Sequence, residues 1–451
     1  MFAYLPLHYD KVISRRFSKP NRSYMLLSIQ EAMVGSQFEL QLAKTLRKNR
    51  GAVQSIHVDL THVTFMDCYS AQVLISYLTA WDRNGISTTI SLPEKKSVRD
   101  IMRVWNFDDA LKAATGRRMY RFSDDETRQK YFFPNDSQST FDLDEFPTHY
   151  KIPTNDDGDD DESIRPNFFG FRTIKVPSNV HEKPELANDE KRFWQNHNVK
   201  TLLERDLGID VRYFSARVIF EAVFNALRHP SAEIVQTATH TRYIYDRSQQ
   251  LTLPFNKTQR NKKQASKSAV VHYWDNGRSL LDLIEENLAT KKTFRTSSPG
   301  KYFRSYRLKW KNSESKSQSI DRVVGSDLDA EPSSHISEKL LFVLQPFVSM
   351  SPTLFGHAST EETTEDDPRL ASVGMGLYLL LDTAVANFGG KVIIRTSNVI
   401  IRVTKGKKSK KLNGSKIKRH DYVVDIQELP NNLPKFLGNL ISISIPEQEK
   451  Q

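Results

Sequence analysis

The chain has 451 residues, 38% hydrophobic, 10% aromatic and 26% charged, which is enough apolar matter for more than one core and too much for a disordered chain. Its one cysteine, Cys68, excludes an internal disulfide and fits a reducing compartment. No uninterrupted apolar run approaches the roughly 18 residues of a membrane span. The formal net charge is +11 with a pI near 9.4, but much of the excess sits in NKTQRNKKQASK (256–267) and KGKKSKKLNGSKIKRH (405–420), each next to a strand-like run. These read as solvated loops between strands, with contact to a nucleic-acid backbone the less favoured use. The opening MFAYLPLHYD has too few apolar residues for a signal peptide, so a cytoplasmic protein without membrane association is expected.

In chain order, YMLLSIQ (24–30), SIHVDLT (55–61) and STTISLP (87–93) read as strands. Helices alternate with them at 36–49, 70–85 and 96–107. Strands separated by helices of this length imply an α/β layer with crossover connections, ending near residue 120. From 121 to 186, prolines and the acidic run NDDGDDDES (155–163) imply a linker carrying short docked elements. Helical periodicity restarts at 186–208. A second helix is expected over 210–229, with Asp210 as its cap and Pro230 as its stop. Two strands follow, the second ending in Asp275-Asn276-Gly277. Residues 291–370 are polar and charged. A helix with glycines at both ends (373–390) and four β-rich runs close the chain, which divides at 1–120, 121–186 and 187–451.

Three separated pieces carry chemistry. In FEAVFNALRHP (220–230), Glu221 and Asn225 lie four apart and so share a helix face one turn apart. On pattern alone the plainer reading, a polar pair on the solvent side of the helix, is favoured; the other, a carboxylate to orient water beside a carboxamide to ligate Mg²⁺, needs support from elsewhere in the chain. Asp275 at a strand end can accept from an exocyclic amine such as adenine N6, with Gly277 letting a flat ring approach the backbone. Gly374 and Gly376 open a helix, before Leu377, whose bare amides suit phosphate.

In this order the motifs resemble the ATP-binding domain shared by gyrase, heat-shock chaperones, histidine kinases and mismatch-repair ATPases, the GHKL superfamily, over roughly 190–447. The resemblance implies a C-terminal two-layer α/β sandwich that binds ATP and Mg²⁺. It implies that Asn225 ligates the metal, that Asp275 reads adenine and that Glu221 serves as general base in hydrolysing members. Residues 291–370 become a long lid over the nucleotide. Two positions depart from the family pattern: Ser279 replaces the second glycine of Asp-x-Gly-x-Gly, and Ser372 stands where a further glycine often lies. His229 matches the family, and serves equally well as a helix C-terminal partner. No phosphoacceptor-histidine helix precedes the domain, which disfavours a full sensor kinase.

Residues 24–115, around VDLTHVTFMDCYSAQVL (58–74), resemble the STAS domain of anti-sigma-factor antagonists and sulfate transporters. The family's Asp-Ser-Ser-Gly is here Asp67-Cys68-Tyr69-Ser70, so Tyr69 stands at the phosphoserine position and Ser70 at the glycine. The expected function is an ATP-binding switch with slow Mg²⁺-dependent hydrolysis, engaging a protein partner or its own STAS-like domain. The alternatives are an anti-sigma-type serine/threonine kinase and a nucleotide-dependent nucleic-acid clamp.

Overall fold

The computed structural model describes residues 24–29, 31–33, 36–48, 53–122, 125, 168–179, 182–195, 203–204, 207–228, 231–244, 266–289, 294–295, 305–311, 317–323, 348–349, 376–406 and 422–448.

The N-terminal unit runs β1 (Tyr24–Ser28), β2 (Glu31–Met33), α1 (Ser36–Lys48), β3 (Ser55–Asp59), β4 (Val63–Met66), α2 (Cys68–Arg83), β5 (Ser87–Ser91), α3 (Lys96–Val104) and α4 (Phe107–Thr115). β1, β3 and β5 form a parallel sheet in that order, and β2 and β4 make a second parallel pair. Parallel strands need crossovers, and α1 and α2 provide them. Asp67 caps α2 by accepting from the Ser70 amide at 2.7 Å. Every residue of α2 from Cys68 to Trp81 is buried. A helix apolar on all sides must have a core on each side of it. The parallel sheet is one of those cores.

The second core belongs to the rest of the chain. β6 (Phe168–Lys175) and α5 (Lys183–Trp194) lead to a continuous helical run: α6 (Val211–Phe214), a π-helical stretch (Ser215–Ile219) and α7 (Phe220–Arg228). Asp210 caps this run by accepting from the amides of Arg212 and Tyr213. Then come β7 (Ile234–Ile244), β8 (Ser266–Asp275), α8 (Leu280–Ala289), β9 (Phe294–Arg295), β10 (Ser305–Lys311), β11 (Ser317–Val323) and β12 (Val348–Ser349). α9 (Gly376–Leu381) continues through a π-helical stretch (Asp382–Asn387) into β13 (Lys391–Ser397), β14 (Val399–Lys405), β15 (Tyr422–Glu428) and β16 (Phe436–Pro446). The large sheet has the order β11-β10-β15-β14-β13-β16-β8-β7-β6. All its pairings are antiparallel except β10 with β15.

Alternate residues of these strands serve opposite faces. Ala269, Val271 and Tyr273 of β8, with Ile441, Ile443 and Ile445 of β16, pack under the helices from α5 to α9. The intervening Trp274, Leu440 and Ile400 pack with the N-terminal unit around α2. The expected two-layer arrangement therefore carries a third layer, because the second face of the sheet buries α2.

Polar contacts across this joint are specific. Arg395 and Glu39, both 0% exposed, form an ion pair at 2.9 Å, and Tyr77 donates to Glu39 at 2.8 Å while accepting from Arg395 at 3.1 Å. Burial alone would lower the Arg395 pKa; Glu39 and the nearby tyrosines hold it above the usual arginine range. Gln72 donates to Gln236 at 2.9 Å, and Gln236 donates to the Ala110 carbonyl at 2.7 Å. Two sequence expectations change here. Residues 168–175, inside the stretch read as linker, form β6, the edge strand paired with β7. Within the expected lid, β10 and β11 pair with each other and extend the large sheet through β15, because backbone pairing at an open sheet edge satisfies groups that a loop would leave to water.

Candidate functional site

Asp275 ends β8 on the helix-covered face, by the same alternation that buries Tyr273 there. Its carboxylate is 2% exposed and accepts from the Gly277 amide at 3.0 Å and from Asn439 Nδ2 at 3.3 Å. Asn439 lies directly opposite on β16. Its Oδ1 accepts from the Leu280 amide at 2.6 Å and from the Thr396 hydroxyl at 2.8 Å. One carboxamide thus ties the aspartate, the start of α8 and β13 together. Beside it, Gly438 has φ +73°, and a Cβ there would lie 1.7 Å from the Asp275 carbonyl oxygen. Only glycine fits that approach. Sequence reading missed both residues, although a glycine two positions into a strand, before a buried-strand asparagine, is the kind of signal that marks a close backbone approach.

Ser279 has a local reason to differ from glycine. Its hydroxyl accepts from the Asp282 amide at 3.1 Å and its carbonyl from the Leu283 amide at 3.1 Å. It is the N-cap of α8, a position that favours serine over glycine by a few tenths of a kcal/mol.

Glu221 and Asn225 lie on α7, both half-buried, while Ala222, Val223, Ala226 and Leu227 are buried in the helix-side core. The polar pair therefore flanks the packed stripe of the helix. α7 packs against β8, β7 and α9. So the helix bearing Glu221 and Asn225, the strand bearing Asp275 and the helix begun by Gly376 occupy one face of the sheet. Leu377 packs partly buried against the same core. Phe220 and Phe224 stack on α7 with centroids 5.4 Å apart. Gly374, Ser372, His229 and most of 291–370 lie outside the described residues. Among the described residues no group of three or more His, Cys, Asp or Glu is arranged to hold a metal ion, and no helix is long and apolar enough to cross a membrane.

On the opposite face, the motif at 67–70 is sealed. Ser70 is 0% exposed, Tyr69 9% and Cys68 2%. The Tyr69 ring meets His272 of β8 at 6.3 Å, and its hydroxyl has no hydrogen-bond partner among the described residues. Burial first, then Glu39, pushes the Tyr69 hydroxyl well above the usual tyrosine range. Burial, reinforced by Asp67, likewise raises the Cys68 thiol well above its ordinary value. It is a packed thiol and not a reactive thiolate.

The parallel three-stranded sheet with its crossover helices, followed by the Asp67-capped α2, decides the N-terminal assignment. Residues 21–120 match the STAS domain. STAS domains mediate protein–protein interactions, so the match points to a regulatory role for this part of the chain. No curated protein and no solved structure matches the chain. The comparisons give no support for an ATPase domain beyond the STAS domain. What the STAS domain contacts here is, in the first place, the sheet of its own chain.

Proposed function

We propose that residues 187–451 bind Mg²⁺-ATP and that the docked STAS domain responds to occupancy, making the protein a nucleotide-dependent regulatory switch. The observation that carries this reading is Asp275: a residue 2% exposed, its carboxylate fixed by Gly277 and Asn439, on the sheet face packed by α7, the helix whose sequence carries Glu221 and Asn225. A buried acceptor held this rigidly suits an exocyclic amine. The half-buried Asn225 offers one oxygen, which fits an ion held mainly by phosphates and water and not a protein cage. Mg²⁺ bound there would neutralise triphosphate charge. Glu221, one helical turn away, would take the proton from an attacking water. Gly374, Gly376 and Leu377 would supply the phosphate end of the site.

The decisive measurement is thermal unfolding of the full chain with and without Mg²⁺-ATP. A ligand that binds only the native state at about a hundredfold excess over Kd adds about 2.7 kcal/mol. A transition unmoved at millimolar nucleotide removes the proposal. Phosphate release without labelled protein favours an ATPase switch, and label on protein favours a kinase. The burial of Ser70 and Tyr69 argues against transfer onto the chain's own docked STAS domain. Salt-sensitive binding of DNA or RNA would favour the clamp.

A further inference from the structure

Arg83, the last residue of α2, reaches from the STAS domain to the turn that follows Asp275. Its Nη1 donates to the Asn276 carbonyl at 3.0 Å, and its Nη2 pairs with Glu233 at 2.5 Å. Asn276 is 1% exposed and entirely engaged. Its Oδ1 accepts from the amides of Glu233 at 2.9 Å and Ile234 at 3.1 Å, and its Nδ2 donates to the Glu233 carboxylate at 3.3 Å. Arg83, Glu233 and Asn276 thus form a closed clasp in which every member holds the other two. The clasp fixes the peptide joining Asp275 to Gly277, whose amide in turn holds the Asp275 carboxylate. Other contacts hold α2 at different points: Gln72 on Gln236, and Ser76 on the Leu437 carbonyl at 3.0 Å.

We infer that Arg83 is a positioning residue for Asp275, supplied by the STAS domain, and that docking of this domain sets nucleotide affinity and base discrimination. The inference rests on the nucleotide reading above. It adds that the site is complete only with α2 in place. By linkage, nucleotide must then tighten the docking by the same factor that docking tightens nucleotide.

The test uses the full chain as parent, Arg83→Gln, Arg83→Lys and, as a control for docking alone, Gln72→Leu. Dissociation constants are measured for Mg²⁺-ATP and Mg²⁺-GTP, and amide hydrogen exchange is followed without nucleotide over residues 274–280. Arg83 is partly exposed at its side chain, so its replacement is expected to leave the fold intact. Arg83→Gln should weaken ATP about tenfold, the loss of one charge-assisted hydrogen bond, narrow the preference for ATP over GTP and speed exchange at 274–280. Arg83→Lys should recover most of each effect. Gln72→Leu should lower the melting temperature and leave the preference unchanged. If the parent binds ATP and Arg83→Gln binds it equally, the inference fails while the nucleotide reading stands. Equal narrowing in Gln72→Leu would make Arg83 merely structural and overturn it too. A parent that binds neither nucleotide removes both.

Discussion

Replacing Arg395 by methionine keeps most of the side-chain volume and deletes every donor the guanidinium supplies. Lost with it are the ion pair with Glu39 at 2.9 Å, the bond to Tyr77 at 3.1 Å, and bonds to the carbonyls of Thr396, Ser397 and Val399. Contact of the guanidinium with the Phe436 ring at 4.7 Å goes as well. Glu39, 0% exposed, is left as a buried carboxylate whose remaining hydrogen bond, among the described residues, comes from the Tyr77 hydroxyl. Breaking such a pair from one side costs about 3–5 kcal/mol, a large share of the about 5–15 kcal/mol that holds a domain folded. Glu39→Gln, which leaves the carbonyl contacts of Arg395 in place, should cost less. The double variant should cost clearly less than the sum, with a coupling of about 2–3 kcal/mol. Urea unfolding, read by tryptophan fluorescence and far-UV circular dichroism, measures this, since Trp81 and Trp274 both lie at the joint. Additivity within about 0.5 kcal/mol, or two separate transitions in the parent, would refute the view that the STAS domain and the large sheet form one cooperative body.

At the proposed nucleotide site, Asp275→Ala should weaken Mg²⁺-ATP by about 1–3 kcal/mol; unchanged affinity by calorimetry would remove it as the proposed base-reading residue. Glu221→Ala should keep affinity and slow single-turnover phosphate release by about 10²–10⁴-fold, whereas Asn225→Ala should lose both. Gly438→Ala should lower the urea midpoint and nucleotide affinity together, because its methyl group must displace the Asp275 carbonyl. His57 is 7% exposed against Thr89 and Ser91, and burial, helped by Arg121 and opposed by Asp59, lowers its pKa. Below about pH 6.5 the unfolded histidine takes up a proton that the folded one resists. Stability should therefore fall as pH drops from that value, and His57→Gln should flatten this fall in denaturation midpoints.

Local signals in the sequence were sufficient where one element buries one face. The alternation of strands and helices over 24–115, the Asp210 cap and the strand ending at Asp275 are all periodic or capped features, and the structure has them. Long-range pairing was the part that could not be read. β6 has no strong pattern of its own and becomes a strand by pairing with β7, some sixty residues later. The hairpin of β10 and β11 joins β15 across more than a hundred residues. Ser279 looked like a defect in a glycine motif because the cap it provides depends on where α8 begins. One clue was present and unused: CYSAQVLISYLTAW has apolar residues on every side, and such a helix announces a second core. Arg395 shows the opposite case. A lone arginine inside KVIIRTS, among β-branched residues, signals a buried charge, but its partner Glu39 lies 356 residues away.

The sealed position of Tyr69 and Ser70 bears on how a STAS domain can regulate from inside its own chain. Group transfer to either hydroxyl needs an in-line approach to the oxygen, and both side chains are buried, Tyr69 against His272 of the large sheet. For Tyr69 such a reaction therefore requires α2 to leave the sheet, parting Tyr69 from His272, Gln72 from Gln236 and Tyr77 from the Phe436 ring. It also requires the Arg395–Glu39 pair to separate, leaving two charges to be solvated. These are the contacts that make the docked form cooperative, so release cannot be a small fluctuation. A regulatory signal that acts while the domain stays docked must instead pass through contacts that survive in place. Arg83 is such a contact: it ends α2 of the STAS domain and donates to the Asn276 carbonyl, next to the carboxylate proposed above to read the base.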